Sequence, residues 1–287
     1  AALLDRLGLP QPAWRLVESG EDLEAVGFPV WVKAAFSTAG RGVALAAGPE
    51  QARVVWRRFT AADPAMPVMV QACAEGRYAQ VQGLFDHGRL LAGAVSEQIA
   101  TGAGGSAAAR LSVDHPAAVD AIQTLGSHLG WHGGITLDYL HLDGRPSFIE
   151  CNPRTIEPGN AAAAGVDLPA LTGALTRGDD LPAVPLLTRA GVRTRSTMAI
   201  ALGAAEQSHT RRAILAGLTT SLRRRPPLQG STEVLTPVLA DPPSLIPFTV
   251  AVGTVLAKPA QVTSLASGTV ETYAVTPAAI QRVRNTR

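Results

Sequence analysis

Lysine is almost absent from this chain: the 25 basic residues include only two lysines, Lys33 and Lys258. Against so arginine-rich a background, a position that tolerated arginine would hold one. Lys33, at the end of an apolar run in FPVWVKAAFSTAGRG, therefore marks a place that asks for a compact point charge. Cysteine is equally scarce. Cys73 and Cys151 exclude a disulfide framework, and both fall in apolar, strand-like runs, so buried free thiols in a reducing, cytoplasmic setting are expected. A net charge of +2 is too small to imply a nucleic-acid partner. The longest apolar run, residues 245–256, is broken by Pro247 and falls short of the ~20 residues of a membrane span, so it is expected to be core. No signal-peptide pattern opens the chain. No methionine precedes Ala1, so a chain that begins inside a longer protein is expected. Repeats and heptads are missing, and so is the GxxxxGK[ST] order of a P-loop.

What is present suits a globular protein of one or two domains, with 46% apolar and 17% charged residues over 287 positions. Residues 1–7 read as the end of a helix closed by Gly8, and Ser19 with the acids after it as the start of a short one. Residues 28–35 form an apolar run expected to be a strand buried on both faces. A helix follows over 49–60 and a second buried strand over 67–73. Strands 78–85 and 89–97 flank the turn signal Asp86-His87-Gly88. TGAGGSAAA, residues 101–109, reads as a glycine-rich loop too polar and flexible for the core. Helices are expected over 116–129 and 168–175, with a hairpin between them, 135–140 and 146–151, around Asp143-Gly144. A linker over 178–185 leads to helices over 196–205 and 210–224. The last sixty residues have no clean period.

The hairpin, DYLHLDGRPSFIECNPR, carries the strongest chemistry. Mg²⁺ takes hard oxygen ligands and leaves places for water and substrate phosphates. Asp138, Glu150 and Asn152 supply such oxygens if they share a face. Strand side chains alternate, so a two-residue turn would place Glu150 opposite in sense to Asp138. A three-residue loop, 143–145, pairs Asp138 with Glu150 and puts Leu140, Phe148 and Asn152 on that face; a bulge has the same effect. Partial shielding of Glu150 by Phe148 and Ile149 is expected. The plainer reading is a solvated acidic sheet face. Arg154 projects beside such a site, where a guanidinium can clamp a carboxylate or phosphate, or else it is a surface arginine. Glu157 is either a further acid or half of a salt bridge.

The ammonium of Lys33 leaves an apolar strand and needs an anion. The loop Ser37-Thr38-Ala39-Gly40-Arg41-Gly42 is small enough for its N–H groups to approach phosphates, with Arg41 adding charge. Residues 68–73, followed by Ala74-Glu75-Gly76-Arg77, read as a core strand whose end offers backbone groups to a base edge, with Glu75 or Tyr78 reaching a ribose.

Taken in order, GFPVWVKAAFSTAGRGV, VMVQACAEG and GGITLDYLHLDGRPSFIECNPR resemble the ATP-grasp superfamily over residues 1 to about 177. Within it the chain is similar to biotin carboxylase and the large chain of carbamoyl-phosphate synthetase. The resemblance implies an α+β fold in which two subdomains clasp ATP, here 1–70 and 71–180 of an ATP-grasp domain 1–180, followed by a partly helical C-terminal region, 186–287. It implies Lys33 on the phosphates with Gly40, Arg41 and Gly42, and Gln71, Ala72 and Cys73 along adenine with Leu140 beneath it. Glu75 or Tyr78 would stand where relatives contact the ribose. Asp138, Glu150 and Asn152 would ligate Mg²⁺ or Mn²⁺, and Arg154 would sit beside the acceptor, so that Lys33 and Arg154 are the catalytic pair. An earlier phosphate-binding lysine of the family would precede Ala1, as would the domain that usually comes first. Relatives place basic residues near the triphosphate where this chain has 101–106, so backbone amides would serve there.

The implied activity is an ATP-dependent ligase that activates a carboxylate as an acyl phosphate for attack by an amine. Its partners would be small molecules, with neither nucleic acid nor membrane. Bicarbonate activation of the biotin-carboxylase kind is the alternative on the same scaffold, and a nucleotide-binding module without turnover is the alternative from another class. In the C-terminal region, Arg211, Arg212 and Arg223–Arg225 read as a solvated helix face, with an anionic partner as the alternative, and closing the site or forming a homodimer contact both stay open for the region.

Overall fold

In the computed structural model, which describes residues 1–35, 40–61, 63–238, 240–262, 265 and 282, the chain forms two compact units. The first holds Pro12–Ala74; the second holds Ala2–Gln11, carrying helix α1 (Ala2–Arg6), together with Glu75–Thr263. The division falls after Ala74, not after residue 70.

Four antiparallel strands, β1 (Trp14–Leu16), β2 (Val30–Ala34), β3 (Val43–Ala46) and β4 (Val68–Ala72), build the first unit in the order β1-β4-β2-β3, with helix α2 (Pro49–Thr60) between β3 and β4. Val30, Val32, Val68 and Val70 point to one face and are closed over by Ala52 and Val55 of α2. The other face carries Trp31, Lys33 and Gln71. Trp31 keeps 36% of its surface exposed, so β2 is buried on one face, not both. Only one layer of helix covers this sheet, and a strand needs two to be apolar throughout.

The second unit is organised by an eight-stranded sheet. Its long members are β5 (Arg77–Asp86), β6 (Arg89–Thr101), β7 (Ala107–Ser112), β8 (Gly133–Leu142) and β9 (Arg145–Asn152), with helix α3 (Pro116–His128) between β7 and β8. The order β7-β6-β5-β8-β9 is antiparallel throughout. One face buries Val81, Phe85, Leu137, Tyr139 and Phe148 beneath α3. The opposite face is apolar at one end, where Leu84, Ala92 and Ala94 meet helices α4 (Gly159–Ala163) and α5 (Leu168–Arg177), and polar at the other. Strand β7 corrects the sequence reading: Ala108 and Ala109 lie in the core, so the glycine-rich loop ends at Ser106. Alanines pack between neighbouring strands as readily as they fill a loop, and nothing in TGAGGSAAA alternates.

Residues past the expected linker join this sheet. Strand β10 (Leu186–Leu187) runs parallel to β6, and β11 (Arg193–Arg195) pairs with β7. Helices α6 (Thr197–Ser208) and α7 (Arg211–Leu222), strand β12 (Thr232–Glu233) beside β11, and helix α8 (Leu245–Ala257) complete the described part. Ala201, Ala205, Ile214, Val252 and Val255 form the small core between these helices. The apolar run at 245–256 is thus only half buried, since Ile246 and Val250 are 69% and 62% exposed. A single packed stripe uses one side of an all-apolar helix. No helix among the described residues is long and apolar enough to cross a membrane. Both cysteines are free and exposed, against expectation, because Cys73 follows the last residue of β4 and Cys151 lies on edge strand β9.

A close approach fixes α3 on its sheet. A Cβ built at Gly126 would lie 2.3 Å from the ring of Phe85, which is fully buried. Gly126→Ala is therefore expected to cost about 1–3 kcal/mol of stability through overpacking, read as a lower urea midpoint; an unchanged midpoint would show that the ring has room to move.

Candidate functional site

Whether Asp138, Glu150 and Asn152 share a face of the hairpin depends on one irregularity. Asp143 and Gly144, with φ of 50° and 72°, make a two-residue turn that pairs Leu142 with Arg145. Positive φ at both positions matches the twist of an antiparallel pair. The three-residue loop is thereby corrected, and Phe148, opposite Tyr139, belongs to the core face instead. The register then slips between Asp138 and Tyr139: Tyr139 faces Phe148, Asp138 faces Glu150 and Thr136 faces Asn152. Ile149 is the extra residue. The bulge restores what the shorter turn would have undone, and Asp138, Glu150 and Asn152 share one face.

Asp138 is 5% exposed. Its Oδ2 accepts from Asn152 Nδ2 at 3.2 Å, but Oδ1 is buried with no hydrogen-bond partner among the described residues. Gln80, on the neighbouring strand directly opposite Asp138, has its Oε1 buried and without a partner among the described residues as well. Burial first, then the charge of Glu150, pushes the Asp138 carboxyl up to about 6. The same burial and the adjacent Asp138 raise Tyr78 far above the phenol range. Glu150 itself is exposed, so the shielding expected from Phe148 and Ile149 is absent: those residues flank it along the strand and turn elsewhere.

These features suit a hard divalent cation. Such a site needs anionic and carbonyl oxygens with open positions for water or phosphate. A buried carboxylate oxygen without a partner, a second carboxylate facing it and two side-chain amides provide that donor set.

The positive charge that reaches this cluster comes from a residue the sequence did not single out. Arg110, on β7, is 6% exposed; its field lowers the proton affinity of both Asp138 and Tyr78. Its Nε donates to Glu157 Oε2 at 2.9 Å, which gives Glu157 the salt-bridge role. Arg110 follows an alanine run read as loop, so no periodic signal marked it. Gln82 was missed too; its Oε1 accepts the Ile156 N–H at 2.8 Å and ties the strand after the hairpin to the sheet. Arg154 is exposed, and its Nη1 donates to the Thr155 carbonyl at 3.4 Å. Leu140 is half-buried on the Asp138 face, and Glu75 is exposed.

In the first unit Lys33 and Gln71 are brought together. They sit diagonally on β2 and β4, and Lys33 Nζ donates to Gln71 Oε1 at 2.6 Å. Gln71 is 2% exposed, which holds the lysine along the open face of the sheet. Gly40, with φ of 71°, and Arg41 form the turn into β3, and Gly42 O accepts from Ala34 N at 2.7 Å. Ser37, Thr38 and Ala39 lie outside the described residues. Ala72 is half-buried at the end of β4, and the exposed Cys73 thiol donates to Pro29 O at 3.4 Å. In the 101–106 segment the amides expected to serve phosphates are engaged: Gly104 N donates to Glu206, Gly102 N to Ser106 O, and Ser106 N to Ala103 O. Helix α6 takes the first of these donors through Glu206, and the segment's own carbonyls take the other two.

No family model matches the chain. It is similar to carbamoyl phosphate synthase large chains: 28% identical over 181 residues to that of Saccharolobus islandicus and 30% over 200 to that of Gemmatimonas aurantiaca, covering 58% and 64% of this chain. The chain spans less than a fifth of those relatives' length, 17% and 18%. Among solved structures it resembles the biotin carboxylase domain dimer of Hydrogenobacter thermophilus 2-oxoglutarate carboxylase, in complex with MgADP and bicarbonate. The TM-score there is 0.55 at 16% identity, covering 67% of this chain and 47% of that one. It also resembles N5-carboxyaminoimidazole ribonucleotide synthetase of Thermus thermophilus, with TM-score 0.55 at 15% identity, covering 77% and 70%. The fold is that of the ATP-grasp proteins.

The raised Asp138 carboxyl has a measurable consequence. Between about pH 3.8 and 6 the folded, metal-free protein keeps a proton that the unfolded chain has released, so stability falls as pH rises through that window. Asp138→Asn should abolish this slope and stabilise the metal-free protein at pH 7 by up to ~3 kcal/mol. Urea unfolding in chelator across the window reads this; parallel curves for both proteins would contradict it.

Proposed function

We propose that this member of the ATP-grasp superfamily is a Mg²⁺-requiring ligase that joins a carboxylate to an amine through an acyl phosphate. The observation that carries the proposal is the buried Asp138 Oδ1, without a hydrogen-bond partner among the described residues, on a residue that faces Glu150 at the hairpin bulge, with Asn152 on the same face. A buried carboxylate facing a second one across the strands is disfavoured unless a cation joins them. Mg²⁺ or Mn²⁺ bound there supplies charge neutralisation for the outer phosphates of ATP.

The chain's own residues take the other roles. Lys33, already aimed along the sheet by Gln71, meets the phosphates together with Arg41 and the backbone of Gly40 and Gly42. Gln71, Ala72 and Cys73 lie along the adenine, with Glu75 and Tyr78 toward the ribose and Leu140 under the base. A carboxylate oxygen of the acceptor attacks the γ-phosphorus, and the bond to ADP breaks as the acyl phosphate forms. The amine then attacks the acyl carbon and phosphate leaves. Arg154 and Arg110 hold negative charge near the reacting groups, where oriented cations act most strongly. Both partners are small molecules in the cytoplasm, and a homodimer belongs to the proposal, supported by the dimeric form of the biotin carboxylase domain it resembles. Bicarbonate as the carboxylate is the second reading, favoured by the bicarbonate in that same complex. Biotin-dependent phosphate release would select it, and dependence on a free amine would select the first.

ADP release, measured on the full-length protein with a panel of carboxylic acids and amines, tests the proposal. Glu150→Gln should lower turnover at least ~100-fold while nucleotide binding persists. Undiminished turnover in that variant would sink the ligase reading.

A further inference from the structure

A cavity of about 510 Å³ opens in the second unit between β7, the segment after β9 and helix α6. Its lining is mixed. Arg110, Glu157, Asn160, Thr194, Arg195, Ser196 and Ser106 bring polar groups to it, while Met198, Ala199, Leu202, Val234 and Leu235 give it a large apolar wall. Three observations concern the polar groups around Arg110. Arg110 is 6% exposed, yet its Nη1 has no hydrogen-bond partner among the described residues. A buried guanidinium N–H without an acceptor costs free energy, unless a ligand provides one. Asn160, 4% exposed, is fixed by donating to Thr194 Oγ1 at 2.9 Å, so it cannot swing over to relieve Arg110. Glu157, whose carboxylate takes the Arg110 Nε–H, sits at φ 48°, a conformation uncommon for residues other than glycine.

We infer that this cavity takes the acceptor of the reaction, and that the acceptor is a carboxylate bearing an apolar body of several carbons, its carboxylate on Arg110 and its body on the α6 wall. This rests on the ligase reading, which it deepens. Arg110 is bonded to Glu157, and the neighbouring Ile156 is hydrogen-bonded to Gln80 and Gln82, of which Gln80 lies directly opposite Asp138, so a carboxylate held on Arg110 lies toward the Asp138 end of the sheet face. Size and lining exclude a small polar acid as the preferred occupant. Bicarbonate would fill a small part of the volume and leave the apolar wall facing water, whereas pockets of this size accommodate ligands of many heavy atoms. The position of α6 is not adjustable: a Cβ at Gly203 would come within 2.9 Å of Gly102 Cα, so helix and sheet end are in direct backbone contact and the cavity keeps its width.

Calorimetric binding to the protein, with and without Mg·ATP, tests this with leucine and phenylalanine, with 4-methylpentanoate and phenylacetate, and with acetate and bicarbonate. The apolar carboxylates should bind at least ~10-fold tighter than acetate or bicarbonate. The amino-acid arm against the simple-acid arm tells whether an α-amino group is part of the ligand. Arg110→Gln should weaken binding of every carboxylate. Leu235→Glu, at a wall residue 52% exposed and so tolerant of change, should weaken the apolar ones ~10-fold or more while the protein's melting temperature stays near that of the parent. Equal affinity for acetate and phenylacetate, absence of binding by any of these acids, or a Leu235→Glu protein that binds phenylacetate as the parent does would overturn the inference. The ligase reading fails separately, through loss of Mg·ATP binding in the same titrations.

Discussion

Two carboxylates facing each other on a mostly buried sheet face are the constraint around which the second unit is arranged. A regular hairpin with the Asp143-Gly144 turn would send Asp138 and Glu150 to opposite sides. The extra residue at Ile149 brings them to the same side, at the expense of a disturbed ladder and a carboxyl that resists ionisation. Nothing in the folding of the apoprotein rewards that arrangement. Natural proteins retain such local conflicts where a ligand relieves them. The rest of the face is consistent with this. Gln80 and Gln82 line the strand next to Asp138, one held by the backbone at Ile156 and the other with an oxygen left over.

The same sheet face grades from apolar to polar along its strands. Leu84, Ala92 and Ala94 are sealed under α4 and α5, whereas Gln80, Ser96 and Asp138 lie beyond the reach of those helices. The scaffold is therefore stable at one end and chemically exposed at the other, which is how a rigid sheet can hold a site without having to be flexible itself. The helices after β11 are part of this plan, since α6 is the far wall of the cavity that Arg110 enters. A shared fold with carbamoyl phosphate synthase and biotin carboxylase leaves the acceptor undetermined, because acceptors are chosen by the walls and not by the sheet.

Much of this was legible in the amino acids. The lone Lys33 at a strand end, the helix at 49–60, the hairpin at 89 and the order acid, acid, amide around Asp143-Gly144 all follow from spacing and residue type, and the α+β fold follows from the resemblance they carry. The losses have physical causes. Strand β7 reads as a loop because small residues give neither a period nor a β-branched signal, and Arg110 went unseen with it. The loop length of the hairpin around Asp143-Gly144 is misread because a bulge and a longer turn have the same consequence for side-chain parity. The thiols were placed inside because apolar neighbours in sequence do not report whether a strand is at a sheet edge. The apolar run of α8 hides which side is covered, since every position looks alike.

At the opposite end of the hairpin, His115 at the start of α3 reaches the turn itself, its Nε2 2.9 Å from Gly144 O and its Nδ1 2.8 Å from the Tyr139 hydroxyl. A carbonyl only accepts, so Nε2 carries the hydrogen. The ring's Nδ1 is paired with the Tyr139 hydroxyl, which can donate or accept. The imidazole acts as a rivet through the tip of the loop. A hairpin pinned at its tip and kinked at its base cannot creep by a residue in either direction, so insertions in this stretch would have to come as compensated pairs. The length of this segment is thus fixed from both ends, and the positive φ at Asp143 and Gly144 limits which residues can form its tip.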